Sequence, residues 1–382
     1  MDGRVALTPF VLPGEVARVE PEQERPDLIR TRLIEVISPS PHRYAPPCPL
    51  FYECGGCHYQ HARYEFQVEQ KAAILREQLR RVGRIDFTGE IETISGPPLG
   101  YRNRSQFHIE RRRIGYFANG SHRLTPVDRC PISSPKINET LAILARMMRD
   151  RRFPGFIRAV ELFTDEASVL LNVLDTGMPV ARRFFDWCAE EIPGLVRGAL
   201  NYRAAGHVFQ VSHNSFFQVN RFLLDALVQA ATGDAAGSSA LDLYAGVGLF
   251  SLALARRFDE VTAVESAMSA VHDLKTNAER AALDIRVAHA GVEPFLAGME
   301  RSAEFVLADP PRAGLGKRVT AELVRLRPRR IHIASCDPST LARDLAALVA
   351  GGYRITKLIL LDLFPQTYHF ESIAYLAAEE RR

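Results

Sequence analysis

From Leu241 onward, short apolar runs alternate with stretches of helical spacing: 241–255, 261–282, 285–300, 305–326 and 330–350, then YRITKLILLDLF and FESIAYLAA. Apolar runs of strand length that feed stretches of 3.6 periodicity are βα units. Their repetition predicts an α/β fold with a doubly wound sheet and an antiparallel closing pair. The first unit, SALDLYAGVGLFSLALA (239–255), reads as strand, glycine turn and helix. Gly246 and Gly248 would let backbone N–H groups approach a ligand, with the helix N-terminus behind them. ATGDAAGSSA (231–240) reads as the loop before it.

The first half has a different rhythm. Residues 1–40 (GRVALTPFV, EVARVE, LIRTRLIEVI) read as short strands between Pro and Gly turns, a small β-barrel expected to lack its first strand. Residues 41–92 hold a cysteine-rich turn and an amphipathic helix over 62–82. Residues 93–210 alternate strand-like SQFHIE, RIGYFA, AVELFTD and SVLLNVLD with helices such as KINETLAILARMMRD, and FFDWCAEEI reads as a helix burying Cys188. Residues 211–382 form the fourth unit, entered through SHNSFFQVNRFLLDALV. In YRNRSQFHIERRR, Arg102, Arg104 and Arg111 to Arg113 alternate with aromatics. That pattern fits a nucleic-acid backbone, and equally the solvated face of a strand pair.

A chain of 382 residues with 47% hydrophobic and 24% charged residues has enough apolar mass for two or three folded domains and is not disordered. No apolar run approaches the roughly 20 residues of a membrane helix. Pro13 interrupts the one N-terminal candidate for a signal peptide, so a cytoplasmic protein without membrane contact is expected. A net charge of +3 says little about partners, and no obligate protein partner is expected.

Three of the six cysteines (Cys48, Cys54 and Cys57) fall within ten residues, with Gly55 and Gly56 inside the turn. Such a turn can wrap one metal centre, and a cytosolic chain does not normally spend these residues on disulfides. Cys130, in a second Cys-Pro pair, is the candidate fourth ligand. Four thiolates suit an iron–sulfur cluster or a structural zinc. Three clustered ligands with one distant favour the cluster, and unrelated buried cysteines are the bland rival.

Three strand ends supply the candidate chemistry. Glu265 closes the second strand, where an acid would accept hydrogen bonds from a ribose. FVLADPPR ends the next in Asp309, and IHIASCDP ends another in Cys336. Glycine turn and acid fit a dinucleotide or S-adenosylmethionine. The dinucleotide is set aside because GVG lacks a third glycine and Asp-Pro-Pro and Ser-Cys-Asp-Pro are no hydride site. Asp-Pro-Pro suggests methyl transfer, and Arg312 stands where methylation of an exocyclic amine wants an aromatic. A pyrimidine carbon 5 becomes nucleophilic only after a thiolate adds to carbon 6, and a base must later remove its proton. Cys336 suits the first role and Glu371, in FPQTYHFES, the second. Their bland rivals are a small buried hydrophobe and a solvated strand edge.

With these residues assembled, the chain resembles the RNA uracil-5-methyltransferases that act on ribosomal and transfer RNA, in particular the iron–sulfur-containing 23S rRNA branch. The matching stretches are Cys48, Cys54, Cys57 and Cys130; Phe216-Phe217-Gln218-Val219-Asn220; Asp242 to Gly248; Asp309 to Gly314; Ser335 to Pro338; and His369-Phe370-Glu371. They span residues 48–371 in the family's order. The resemblance implies a Rossmann-like S-adenosylmethionine-dependent domain, a [4Fe–4S] cluster on the four cysteines, Cys336 as nucleophile and Glu371 as proton acceptor. It implies cofactor contacts from Gln218, Tyr244, Gly246, Gly248, Glu265 and Asp309. It also implies a TRAM-like RNA-binding barrel in residues 1–40, a central RNA-binding unit, and an RNA partner, 23S rRNA ahead of tRNA. The chain departs from the pattern at Leu249, where many members have a polar residue, and at Gly291-Val292, where an acid often contacts the adenine. A non-catalytic RNA-binding factor on the same fold is the alternative from another class. Cytosine-5 DNA methylation is the third, although such enzymes usually set their nucleophile after Pro.

Overall fold

The computed structural model describes residues 4–380. Its largest element is an eight-stranded sheet in the order Arg286–His289, Phe258–Glu265, Gly237–Leu243, Phe305–Ala308, Arg330–Ser335, Glu371–Ala378, Tyr353–Leu361, Ile91–Ile94. Glu371–Ala378 runs antiparallel to both its neighbours, and every other pairing in the sheet is parallel. This is the Rossmann-like arrangement expected from the alternation of apolar runs and helical stretches. Ile91–Ile94, from the edge of the expected cysteine segment, adds the outermost strand.

Side chains alternate between two cores, as the period of two requires. Leu241, Leu243, Val306, Ala308, Ile331 and Ile333 face one way, onto Leu323, Leu341, Leu345 and Leu348 of helices Gly316–Leu326 and Pro338–Ala350. Ala240, Phe305, Leu307 and Ala334 face the other way, with Leu227 and Leu274 of helices Leu224–Thr232 and Met268–Arg280. Phe305–Ala308 is buried at every position, hence its unbroken apolar run.

Two local expectations shift. The helix after the glycine turn is a single turn, Ser251–Leu254, because the next strand already begins at Phe258. The expected loop at 231–240 is shorter, its ends absorbed by the preceding helix, which runs to Thr232, and by the strand starting at Gly237.

The helix of the cysteine segment, Tyr64–Arg81, lies inside the expected 62–82. Its Leu75 and Leu79 are fully buried in the same core as Leu341 and Leu345, so this segment docks on the helical layer of the large sheet. Residues 104–196 build a six-stranded sheet in the order Leu195–Val196, Val169–Thr176, Ile157–Thr164, Arg104–Glu110, Arg113–Phe117, Leu124–Pro126. The N-terminal segment forms a three-stranded sheet in the order Val5–Leu7, Leu28–Ser38, Val16–Glu24. Arg43 ties it to the cysteine segment, donating to Glu15 Oε2 at 2.7 Å and to the Phe10 carbonyl at 2.6 Å. Among the described residues no helix is long and apolar enough to cross a membrane.

Candidate active site

Gly237–Leu243 is flanked by Phe258–Glu265 on one side and Phe305–Ala308 on the other. The chain direction across the sheet reverses there, and the crevice at such a reversal is where doubly wound folds bind ligands. The turn that follows takes left-handed backbone angles at Tyr244 (φ 63°), Gly246 (φ 55°) and Gly248 (φ 91°). A non-glycine residue held there marks a strained, over-determined site. A Cβ on Gly248 would press on Leu252 and Leu274 at 3.1 Å, whereas one on Gly246 would meet nothing within 4 Å. Gly248 therefore serves packing, and Gly246 faces open space. Glu265 accepts from Gly246 N at 2.9 Å, Ser266 N at 2.7 Å and Ala267 N at 2.6 Å. Its carboxylate thus joins the glycine turn to the next strand end.

The candidate reacting groups lie further across the sheet, at the second and third strands beyond Gly237–Leu243 on the Phe305–Ala308 side. In the antiparallel pairing Ser335 lies opposite Ser372, so Cys336 and Glu371 sit at the same end of adjoining strands. Cys336 is half-buried, and burial first, then the charges of Glu371 and Asp309, pushes its thiol up to about 11, with Arg312 opposing. Glu371 is 4% exposed and its Oε1 has no hydrogen-bond partner. Burial and then the Asp309 charge hold its carboxyl well above the ordinary range. Burial likewise pushes Asp309 up to about 7. Asp242, hydrogen-bonded to Ser251, reaches about 7 through burial, with the charges of Asp309 and Glu265 adding to it. Gln218 Nε2 stands 3.5 Å from Asp309 Oδ2. The Cys336, Glu371, Asp309 and Gln218 named from the sequence are therefore one constellation, with Arg312 as its cation. A buried carboxylate of raised basicity, one oxygen of which lacks a partner, near a half-buried thiol can exchange protons with a bound ring.

The loop of Asp309 is held from outside. Asp344 Oδ2 accepts from Leu315 N at 2.7 Å, Arg343 donates to the Ala313 carbonyl at 2.7 Å, and Thr340 donates to the Arg312 carbonyl at 3.2 Å. Asp337 caps their helix by accepting from Ser339 N and Thr340 N at 3.0 and 2.8 Å. On the other side Asp273, fully buried, takes Ser212 N at 2.8 Å and the Ser215 hydroxyl at 2.6 Å, fixing the turn before Gln218. Sequence reading missed Asp344 and Asp273. Their signal was a charge on the apolar stripe of a helix, three residues after Leu341 and Ala270 respectively.

Cys48, Cys54, Cys57 and Cys130 all line one small cavity of about 50 Å³, with Phe51, Arg102, Tyr116 and Ile132 completing the wall. Burial raises the Cys48, Cys54 and Cys57 thiols, to about 11 at Cys54 and about 12 at Cys57. Cys130 N donates to Asn138 Oδ1 at 2.8 Å and Gly56 N to Cys54 Sγ at 3.4 Å, so both branches are anchored. Among the described residues no three His, Cys, Asp or Glu converge tightly enough to grip a single metal ion. Cys188 is buried in helix Arg182–Glu191, apart from that wall.

The basic stripe narrows. Arg104 turns inward to Glu161 at 2.7 Å and the Ser215 carbonyl at 2.7 Å, and Arg102 lines the cysteine cavity. Arg112 donates to the Met148 and Asp150 carbonyls, Arg113 is exposed, and Arg111 is almost fully so, with 90% of its side chain accessible.

A family model described as tRNA (Uracil-5-)-methyltransferase matches residues 194–379. The chain is 34% identical to the 23S rRNA (uracil(1939)-C(5))-methyltransferase of Alkalilimnicola ehrlichii, over 99% of this chain and 93% of that protein. It is 32% identical to the namesake enzyme of Pectobacterium atrosepticum, over 98% and 89%. Among solved structures, the tRNA (uracil-54, C5)-methyltransferase of Pyrococcus abyssi, in complex with S-adenosyl-L-homocysteine, superposes with a TM-score of 0.74 at 26% identity, covering 99% of this chain and 96% of that one. With a switch-point crevice, a glycine turn and near full-length relatives agreeing, the chain belongs to the S-adenosylmethionine-dependent RNA uracil-5-methyltransferases.

Proposed function

We propose that the chain methylates carbon 5 of a uridine in structured 23S rRNA through a covalent intermediate on Cys336. The observation that carries this reading is the pairing of Ser335 with Ser372, which sets the half-buried Cys336 near the buried Glu371, one oxygen of which lacks a partner. S-adenosylmethionine would be held by Tyr244, Gly246 and Glu265, and would supply the methyl group as an electrophile and leave as S-adenosylhomocysteine. The Cys336 sulfur bonds to carbon 6, and the electron pair displaced from the ring's double bond makes carbon 5 the nucleophile that takes the methyl. Glu371 then accepts the carbon 5 proton. The C–H electron pair restores the double bond, and the carbon 6–sulfur bond breaks with its electrons returning to Cys336. Arg312 favours the thiolate, opposing the burial that raises Cys336. Asp309 raises the basicity of Glu371, as a base working near neutral pH requires. Gln218 and Asp309 orient the ring and the donor. The uridine must leave its stack to reach the crevice, and residues 93–210 with the N-terminal sheet are the surfaces assigned to holding the RNA.

The rRNA assignment is supported by the relatives at 34% and 32% identity, and the Pyrococcus structure supports tRNA as the second reading. Cys48, Cys54, Cys57 and Cys130 are assigned a [4Fe–4S] cluster. One tetrahedral zinc would draw four sulfurs to about 2.3 Å from a common centre, a tighter knot than four thiols ringing a cavity. A cluster held there would pin the loop-rich segment to the central sheet. The test is Glu371→Gln with 23S rRNA and tRNA transcripts: a methylated adduct resistant to denaturant accumulates on 23S rRNA, and Cys336→Ala forms none. Free methylated product from Glu371→Gln at the wild-type rate would refute the roles.

A further inference from the structure

We propose that Gln67, on the helix of the cysteine segment, is a positioning residue for the base, holding Glu371 through Gln366. The inference rests on the reading of Cys336 and Glu371 given above. Glu371 is reached by the loop 362–370, and that loop is fastened largely by side chains distant in sequence. Lys71 Nζ donates to Asp362 Oδ1 at 2.6 Å and to the Phe364 carbonyl at 3.2 Å. Asn220 Nδ2 donates to the Leu363 carbonyl at 3.1 Å and the Tyr101 hydroxyl to the Pro365 carbonyl at 3.1 Å.

Gln366 is the centre of this fastening. Its backbone is left-handed (φ 68°), a conformation that a glutamine keeps only when its surroundings impose it. Gln67 imposes it from the side chain: Gln67 Nε2 lies 3.0 Å from Gln366 Oε1, and Gln366 N donates to Gln67 Oε1 at 3.1 Å. His58 N and Tyr59 N, the two amides that follow Cys57, both donate to the Gln366 carbonyl, at 2.8 and 3.0 Å. From Gln366 the chain closes on itself, with Thr367 N and Oγ1 donating to the Phe364 carbonyl and His369 N to Thr367 Oγ1. Phe370 is then buried and Glu371 enters the sheet opposite Leu361.

The cysteine turn is thus fastened to the loop that leads into the base. Gln67 is itself 1% exposed and anchored at the Tyr59 and Ala62 carbonyls, so it belongs to the rigid side of the joint. Placement of a base to within about an ångström governs proton transfer by roughly a hundredfold. Addition of the thiol and methyl transfer do not use Glu371.

The experiment compares Gln67→Ala, Gln366→Gly and Glu371→Gln in the full, iron-loaded chain with an unmodified 23S rRNA transcript. Gln366→Gly deletes the side-chain amide beside Gln67 and frees the backbone here to leave the left-handed region, so it loosens the same joint and stays informative if Gln67→Ala folds poorly. The expected result is that both glutamine variants keep their iron and an unchanged KM, form the methylated adduct at the wild-type rate, and release it roughly 10- to 100-fold more slowly. Glutamine variants that resolve the adduct at the wild-type rate, while Glu371→Gln traps it, would overturn the positioning role and leave the base assignment standing. Failure of Glu371→Gln to trap would remove the base assignment and this inference with it.

Discussion

Lys71 and Asp362 join the cysteine segment to the large sheet as an ion pair with both side chains fully buried, 2.6 Å apart. Burial lowers the Lys71 ammonium and raises the Asp362 carboxyl, each against the pull of its partner. Desolvation therefore outweighs attraction at both members. Under those conditions breaking the pair costs more than removing it, because truncation strands the surviving charge, at about 3–5 kcal/mol. Lys71→Met should lose that amount, and the bond to the Phe364 carbonyl makes up about 1 kcal/mol of it. Lys71→Met with Asp362→Leu should recover all but about 1–2 kcal/mol. The loss must also depend on pH. Without the ammonium, the Asp362 carboxyl in the folded state keeps its proton to higher pH than in the unfolded chain. Its contribution is then fully present below its ordinary value near 3.8 and lost as pH rises, so Lys71→Met is hurt more at pH 8 than at pH 5. Guanidinium unfolding followed by circular dichroism at the two pH values measures both effects. A single-variant loss below about 1 kcal/mol, or a double variant less stable than the single at pH 8, would refute the reasoning.

Three further outcomes follow from the site. Resolution of the adduct should slow as pH falls while Glu371 takes up its proton, and its midpoint should lie above the ordinary carboxylate range, because Glu371 is a raised acid that accepts a proton only when ionised; a single-turnover release profile with the midpoint of an ordinary exposed carboxylate would contradict this. For the proposed cluster, Cys57→Ser should abolish iron binding and its visible absorbance, whereas Cys188→Ser, in a helix away from the cavity, should leave both intact. Gly314→Ala should cut kcat by about tenfold with little change in S-adenosylmethionine affinity, because its φ of 75° and the adjacent Asp344 and Arg343 leave no room for a Cβ; titration calorimetry alongside kinetics separates the two.

Local chemistry was legible wherever it depends on neighbours in the chain. The alternation of apolar runs and helical stretches predicted the α/β sheet, since strand burial on both faces writes itself as unbroken apolar residues. Cys336 stood out because it ends an apolar strand-like run, and the structure adds that Asp337 caps the helix that follows. What stayed hidden depends on partners far away in sequence. Gln67 and Gln366 meet across 299 residues, and neither is unusual in its own segment. Arg102 and Arg104 had the spacing of an outward stripe, and only the packing of the central sheet turns them inward, one to the cysteine cavity and the other to Glu161. The basicity of Glu371 belongs to the fold as well. A carboxyl has its ordinary affinity for protons in an extended chain, and it rises here because the sheet buries it beside Asp309. Composition and periodicity determined which elements form, since those follow from short-range sterics and apolar patterning. Tertiary structure alone decided which charges lose their water and which loops hold one another, because desolvation exists only once the chain has closed around them.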